Sequence, residues 1–221
     1  ALKKPASEKP SGPSYPDPSA PSIIRPSTDT KRFPFADVAS GDWFYSSVRL
    51  AWENRLIDGT QKDRFSPRET LTVAQAIKLA AALHQLNEDG KVTLENGASF
   101  WYSSYVDYAV AEEIIDAGYA GYTAAQMNAP VSRAEFVHIL YGSMPADRYT
   151  ARNSVSDNAI PDVKTGDAYA AEIYAFYRAG ILTGSDQNGT FRPASSIQRC
   201  EVAAILVRMF TEAERVSITL N

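Results

Sequence analysis

The chain has 221 residues, 44% of them hydrophobic and 11% aromatic, enough for one or two ordinary domains with a real core. Its 22 basic and 26 acidic groups give a formal net charge of −4. The longest uninterrupted apolar run is "VAAILV", 202–207, far short of the ~20 residues that a membrane-spanning helix needs.

The first 34 residues differ from the rest. They hold eight of the 13 prolines: Pro5, Pro10, Pro13, Pro16, Pro18, Pro21, Pro26 and Pro34. Such a stretch buries little and favours polyproline-like conformations, so residues 1–34 are expected to form an extended Pro/Ser-rich linker. The opening "ALKKPASEKPSG" lacks the basic-then-apolar pattern of a signal peptide and an initiator Met, which reads as a processed chain or a fragment. Residues 1–32 carry six of the basic and three of the acidic groups; the remainder carries 16 and 23, a net of −7. An acidic body is a poor candidate for nucleic acid or anionic membranes, which need a basic face. Cys200 is the only cysteine, so no intrachain disulfide can form. That suits the cytosol and equally the disulfide-free proteins of Gram-positive surfaces.

Beyond the linker the chain repeats itself. "DVASGDWFYSSVRLAWENRLIDG", 37–59, aligns without a gap on "DVKTGDAYAAEIYAFYRAGILTG", 162–184. Asp37 meets Asp162, Gly41-Asp42 meets Gly166-Asp167, Val48 meets Ile173, and Gly59 meets Gly184. One inserted residue later, Phe65-x-Pro67 meets Phe191-x-Pro193 and Gln75 meets Glu201. A weaker copy lies between them: "WYSSYVDYAVAEEIID", 101–116, matches 43–58, and "VSRAEFVHIL" matches "LTVAQAIKLA". This middle copy has lost both the Asp-Val opening and the Phe-x-Pro turn. Three repeats follow, over 35–87, 98–143 and 160–213.

Each repeat reads as helix, loop, helix. Val48, Ala51, Trp52, Arg55 and Leu56 in repeat 1, and Ile173, Phe176, Tyr177 and Ile181 in repeat 3, recur at i, i+3/i+4. Gly59 and Gly184 stand where a glycine would end the first helix. The second helices start at Thr72, Ser132 and Gln198. Thr72 and Ser132 are good caps and Gln198 a poor one, and Gln75, Glu135 and Glu201 at N3 can close a capping box. Apolar stripes follow at Ala76, Ile77, Leu79, Ala80 and Leu83; at Phe136, Val137, Ile139 and Leu140; and at Val202, Ala203, Ile205, Leu206, Met209 and Phe210. A lone helix pair cannot bury both faces, so the three repeats must share one core.

Arg133 and Arg199 sit in the first turn of their helices, where positive charge is mildly unfavourable because that end already carries partial positive charge. Either the position is incidental or it serves an anion. A carboxylate wants the planar guanidinium fork, and a helix N-terminus adds free N–H groups. A carboxylate of the protein itself would be an equally good partner.

An Asp-Val opening, a Trp six residues after the Asp, a Gly ending the helix, Phe-x-Pro, and a Thr-Arg-Ala-Glu box together resemble the S-layer homology (SLH) domain family, over residues 35–213. The resemblance implies an all-α fold: three tandem repeats in a pseudo-threefold helical bundle with three inter-lobe grooves. It implies a non-catalytic module, without cofactor or metal. Such modules anchor a larger exported protein to secondary cell wall polysaccharide attached to peptidoglycan, at the cell wall or S-layer surface of a bacterium. The expected ligand is the ketal carboxylate of a pyruvylated N-acetylmannosamine.

On that reading the glycan-binding candidates are Arg133 and Arg199, the aromatic faces Trp43 and Trp101, and Asp37, Asp162, Gly59, Gly184, Ser132 and Thr72. Each has a plain structural counterpart: Trp43 and Trp101 as staples at a helix start, the aspartates as loop caps, the glycines as helix ends. Trp52 is expected in the core. No repeat carries the whole pattern: Val73 replaces the arginine of repeat 1, and Ala168 stands opposite Trp43. Pairing Arg of one repeat with Trp of the next in a closed ring makes Arg199 with Trp43 complete. Pairing within a repeat makes Arg133 with Trp101 complete. Fewer than three competent sites are expected either way. The runner-up reading is a degenerate module that contacts protein, either its parent or another copy. His84 and His138 have no metal-ligand spacing around them, and "SDQNGTF", 185–191, reads as a turn, because Ile197 cannot supply the last ligand of a calcium loop.

Overall fold

The computed structural model describes residues 33–54 and 56–221; the predicted linker up to residue 32 and Arg55 of the predicted stripe lie outside them. The protein is mostly helical. The first helices of the three expected repeats are α1 (Tyr45–Glu53), α3 (Ser103–Ala111) and α6 (Ala170–Arg178). The second helices are α2 (Val73–Asp89), α5 (Arg133–Tyr141) and α7 (Arg199–Phe210). Between α3 and α5, where a loop is expected, the chain adds a 3-10 turn, Ala117–Gly121, and a four-residue helix α4 (Ala124–Met127). The one departure from all-α among the described residues is a two-residue parallel pair, β1 (Ser154–Val155) on β2 (Thr219–Leu220).

The second helices begin where their caps predict. Thr72 Oγ1 accepts from the Gln75 N–H at 3.3 Å, and Gln75 Oε1 accepts from the Thr72 N–H at 3.0 Å. Ser132 Oγ accepts from the Glu135 N–H at 3.2 Å, and Glu201 Oε2 accepts from the Gln198 N–H at 3.0 Å. The three starts also bridge one another: Thr72 to Pro130, Ser132 to Ser196, and Gln198 to Thr70. These bridges close a ring. Outside it, α2 packs on α3, α5 on α6, and α7 on α1, so the second helix of each repeat pairs with the first helix of another. Every residue of the three predicted second-helix stripes is buried in the shared core. Trp52 is only partly buried, but it packs on that core edge-on to Phe33 and Phe35.

The first helices end earlier than expected. α1 stops at Glu53 and α6 at Arg178, so neither Gly59 nor Gly184 is a helix end. After α6 the left-handed residue is Gly180, at φ 77°. Gly184 is left-handed too, at φ 88°, and a Cβ there would sit 2.5 Å from the Gly189 backbone. A Cβ on Gly59 would sit 2.5 Å from the Phe35 ring and 2.6 Å from two carbonyl oxygens. Both glycines are needed because the loop closes on itself, not because a helix stops there.

The matched Asp and Phe-x-Pro positions turn out to be partners. Asp37 accepts from the Phe65 and Ser66 N–H groups, each at 2.8 Å. Asp162 does the same for Phe191 at 2.8 Å and Arg192 at 2.6 Å. Ser66 (φ 57°) and Arg192 (φ 62°) are left-handed, an uncommon state for residues with a Cβ, and the carboxylates hold them there. This explains why the middle repeat lacks both features together. Asp42 and Asp167 close the preceding turn, accepting from Ala39 N–H at 2.8 Å and Lys164 N–H at 2.7 Å.

Cys200 is buried in α7, and burial pushes its thiol pKa up. The thiolate is therefore scarce and shielded. A disulfide reagent such as dithionitrobenzoate is expected to leave Cys200 unreacted in the native protein and to titrate one thiol per chain in denaturant. Rapid native reaction would contradict this packing.

Candidate functional site

The two first-turn arginines do not point along their own helices. Each crosses to the Phe-x-Pro turn of another repeat. Arg133 Nε donates to the Phe191 carbonyl at 2.8 Å and its guanidinium lies over the Phe191 ring at 5.2 Å. Arg199 Nε donates to the Phe65 carbonyl at 2.8 Å and lies over the Phe65 ring at 4.7 Å. Both residues are 6% exposed. Their position at the ring of helix starts is thus structural first, because each satisfies a buried carbonyl and stacks a cation on an aromatic face.

The two differ in what else they meet. Arg133 Nη1 donates to Glu201 Oε1 at 2.8 Å, a carboxylate of the protein itself. Arg199 Nη2 donates to the Asp58 carbonyl, and no carboxylate among the described residues is within ion-pair distance. Burial lowers the Arg199 pKa, opposed by the charges of Glu69, Asp58 and Asp37. Arginine nonetheless stays protonated at neutral pH.

Arg199 opens into a cavity of about 350 Å³. Its walls include Gly59 from the loop after α1, Gln75 and Lys78 from α2, Asn96 from the α2–α3 connection, and Trp101 from the start of α3. Lys78 pairs with Asp58 at 3.0 Å and lies 5.2 Å from the centre of the Tyr105 ring. Asp58 is largely exposed, so this pair holds Lys78 only loosely. Trp101 is half-buried, packed edge-on to Tyr102, with its remaining surface free. The cavity therefore offers a buried cation, a second cation, amide groups and an indole face. That set suits an anionic, hydroxyl-rich ring compound.

Of the ten candidates, Arg199, Trp101 and Gly59 come together here. The cavity wall brings Arg199 and Trp101 together, a combination that belongs to neither the closed-ring nor the within-repeat register. Trp43 is 65% exposed and does not line this cavity. Asp37 and Asp162 are occupied by turn N–H groups, Gly184 by its own loop, and Thr72 and Ser132 by capping. Sequence reasoning missed Lys78 and Asn96. Lys78 stands three residues after Gln75, on the same helix face, and that spacing was the available signal.

The place that corresponds to this cavity one repeat on is different. Val73 offers no cation, and His138, at the position of Lys78, sits between Glu172 (3.2 Å) and Asp116 (3.6 Å) and stacks on Tyr169. His84 meets the Tyr108 hydroxyl at 2.9 Å. In "SDQNGTF", Asp186 accepts from the Asn188 and Thr190 N–H groups at 3.0 and 3.1 Å, a self-closed turn, and bonding to Thr190 lowers its pKa.

Residues 34–77 and 159–203 match the S-layer homology domain family. Among curated proteins, the chain is 29% identical over 135 residues to the surface-layer 125 kDa protein of Lysinibacillus sphaericus, covering 59% of this chain and 11% of that protein. It is 31% identical over 112 residues to an amylopullulanase of Thermoanaerobacterium thermosulfurigenes, covering 50% and 5%. It is 29% identical over 121 residues to exoglucanase XynX of Acetivibrio thermocellus, covering 54% and 10%. The chain thus spans only a small part of the length of these relatives. One is a surface-layer protein and the other two carry enzyme names, and the matched part is a small fraction of each. No helix among the described residues is long and apolar enough to cross a membrane. These matches support assignment of 34–77 and 159–203 to the S-layer homology domain family.

Proposed function

We propose that this chain is a non-catalytic cell-wall anchor: three S-layer homology repeats, 35–87, 98–143 and 160–213, arranged as a pseudo-threefold bundle behind a Pro/Ser-rich linker, 1–34. It holds a larger surface protein to secondary cell wall polysaccharide at the bacterial wall or S-layer surface. The ligand group is an anionic sugar, a pyruvylated N-acetylmannosamine being the family's expected one. The observation that carries this reading is Arg199, a buried guanidinium with no carboxylate partner among the described residues, opening into a cavity walled by Trp101 and Lys78. The family matches and the surface-layer relative support anchoring as the purpose. Weak single sites suffice when many anchors share one array.

Co-sedimentation with sacculi from the source bacterium tests it, comparing native sacculi with sacculi stripped of secondary polysaccharide by hydrofluoric acid. Wild type is expected to pellet only with native sacculi. Trp101→Ala and Lys78→Ala, changes at partly exposed positions, are each expected to weaken retention roughly tenfold while leaving the fold intact. Equal pelleting with stripped walls would make the partner a protein or the peptidoglycan itself.

A further inference from the structure

Lys78 faces the first helix of the next repeat, and the same contact recurs one repeat on. Lys78 stands three residues after the N3 residue of α2, and His138 three after that of α5. Opposite them, Tyr105 and Glu172 hold matching places, four residues after Trp101 and Ala168. The chemistry differs. Glu172 Oε1 meets His138 Nδ1 at 3.2 Å, which occupies the carboxylate. Tyr105 takes the Lys78 ammonium over its ring, 5.2 Å from the centre, and its hydroxyl remains to bond elsewhere.

That hydroxyl donates to Asn96 Oδ1 at 3.1 Å. The Trp101 ring centre lies 6.4 Å from that of Tyr105. Tyr105 itself is 3% exposed, behind the cavity wall. Three side chains of that wall, Lys78, Asn96 and Trp101, therefore rest on one buried ring. The chain around Asn96 is tied down on both sides. Gln85 Oε1, from α2, accepts from the Thr93 and Leu94 N–H groups at 2.6 and 3.1 Å, and Gln85 Nε2 donates to Thr93 Oγ1 at 2.8 Å. Ser104 Oγ donates to the Glu95 carbonyl, and the Gly97 N–H donates to the Trp101 carbonyl at 3.1 Å. With its backbone held and its oxygen taken by Tyr105, Asn96 has its amide nitrogen left to donate. Among the described residues no protein group accepts from that nitrogen. Lys78 and Arg199 favour an anion, whereas an amide N–H donates as readily to an uncharged carbonyl.

Resting on the proposed anchoring function, we infer that Tyr105 is a positioning residue and Asn96 a specificity-determining one: the buried phenol orients the Asn96 amide to donate to a neutral acceptor of the bound sugar, its acetamido carbonyl. The cations hold the charged group of the ligand, and Asn96 reads the uncharged one. Trp101, braced on the same ring, supplies an apolar face for sugar C–H surface. Bracing matters because a side chain already held in place loses less rotamer freedom on binding. Asn96 is exposed, so water serves its amide when a ligand lacks the acceptor, and the discrimination is moderate rather than absolute.

Titration calorimetry of the full chain with two saccharides tests this: pyruvylated N-acetylmannosamine and the pyruvylated 2-deoxy sugar, which lacks the acetamido group. Wild type is expected to prefer the first by about tenfold. Tyr105→Phe keeps the ring under Lys78 and removes only the hydroxyl; Asn96→Ala changes an exposed position. Each is expected to bind the N-acetyl sugar roughly threefold to tenfold more weakly, to bind the 2-deoxy sugar as wild type does, and to melt close to wild type. The double variant is expected to bind no more weakly than Asn96→Ala, because both changes remove one contact. Lost preference for a single substituent, with no added loss in the double variant, is what a merely structural tyrosine would not produce. Unchanged preference in either single variant, equal weakening toward both sugars, or additive losses overturn the inference. So does wild type that is retained on native sacculi without preferring the N-acetyl sugar, and anchoring then stands. If wild type neither binds a saccharide nor prefers native walls, both fall.

Discussion

Arg133→Met is expected to lower the unfolding free energy by about 3 kcal/mol, and yet to leave retention on native walls unchanged per folded molecule. The substitution keeps an unbranched apolar stem in a 6% exposed position but removes two charge-assisted bonds and the cation over Phe191. It leaves the Phe191 carbonyl without its donor and Glu201 without its counterion. Glu201 is 32% exposed in its side chain, so water partly compensates, and the loss falls at the lower end of the range for a broken buried pair. Urea denaturation gives the stability change, and sacculus pelleting at a temperature well below the transition gives the binding. The same experiment on Arg199→Met should lose both. If Arg133→Met abolishes wall binding while the protein remains folded, the division of labour between the two arginines is wrong.

Asp162→Ala is the second large effect. Its carboxylate accepts two successive N–H groups from a turn 29 and 30 residues away, and the second belongs to left-handed Arg192. Losing a charged acceptor for two donors, one of them partly buried, is expected to destabilise the protein by about 2 kcal/mol. For a domain of this size that corresponds to a fall of roughly 4–8 °C in Tm. Arg192→Gly should recover part of it, because glycine reaches a positive φ without steric cost. A calorimetric scan of the single and double variants decides the matter. If Asp162→Ala melts with wild type, the carboxylate does not hold the turn, and its bonds to Phe191 and Arg192 are replaceable by water.

On the proposed reading, stability and binding are carried by the same residue type at equivalent positions. First-turn arginines fasten the ring of helix starts, and one of them is left with spare donors beside an open cavity. This accounts for an arginine where the helix dipole disfavours it. The cost of placing a cation there is offset by carbonyls of another repeat and by an aromatic face, with or without a ligand.

Much of the fold was legible in the sequence. The helical stripes, the capping positions Thr72 and Ser132, and the in-register match of 37–59 with 162–184 follow from local rules, since periodicity and capping act within a turn or two of the chain. The pairing of Asp37 with Phe65 and Ser66, the early ends of α1 and α6, and the meeting of Arg199 with Trp101 could not be read that way. Each depends on which repeat faces which across the ring. Arg199 and Trp101 are 98 residues apart, and their contact with one cavity is set by α7 packing on α1 while α2 packs on α3. By itself, the sequence determined that repeated helix pairs share a core and that two arginines sit at helix starts, because those are properties of spacing and residue type. Only the tertiary structure decided which arginine is neutralised, because a counterion is defined by distance in space, and Glu201 lies 2.8 Å from Arg133 across 68 residues of chain.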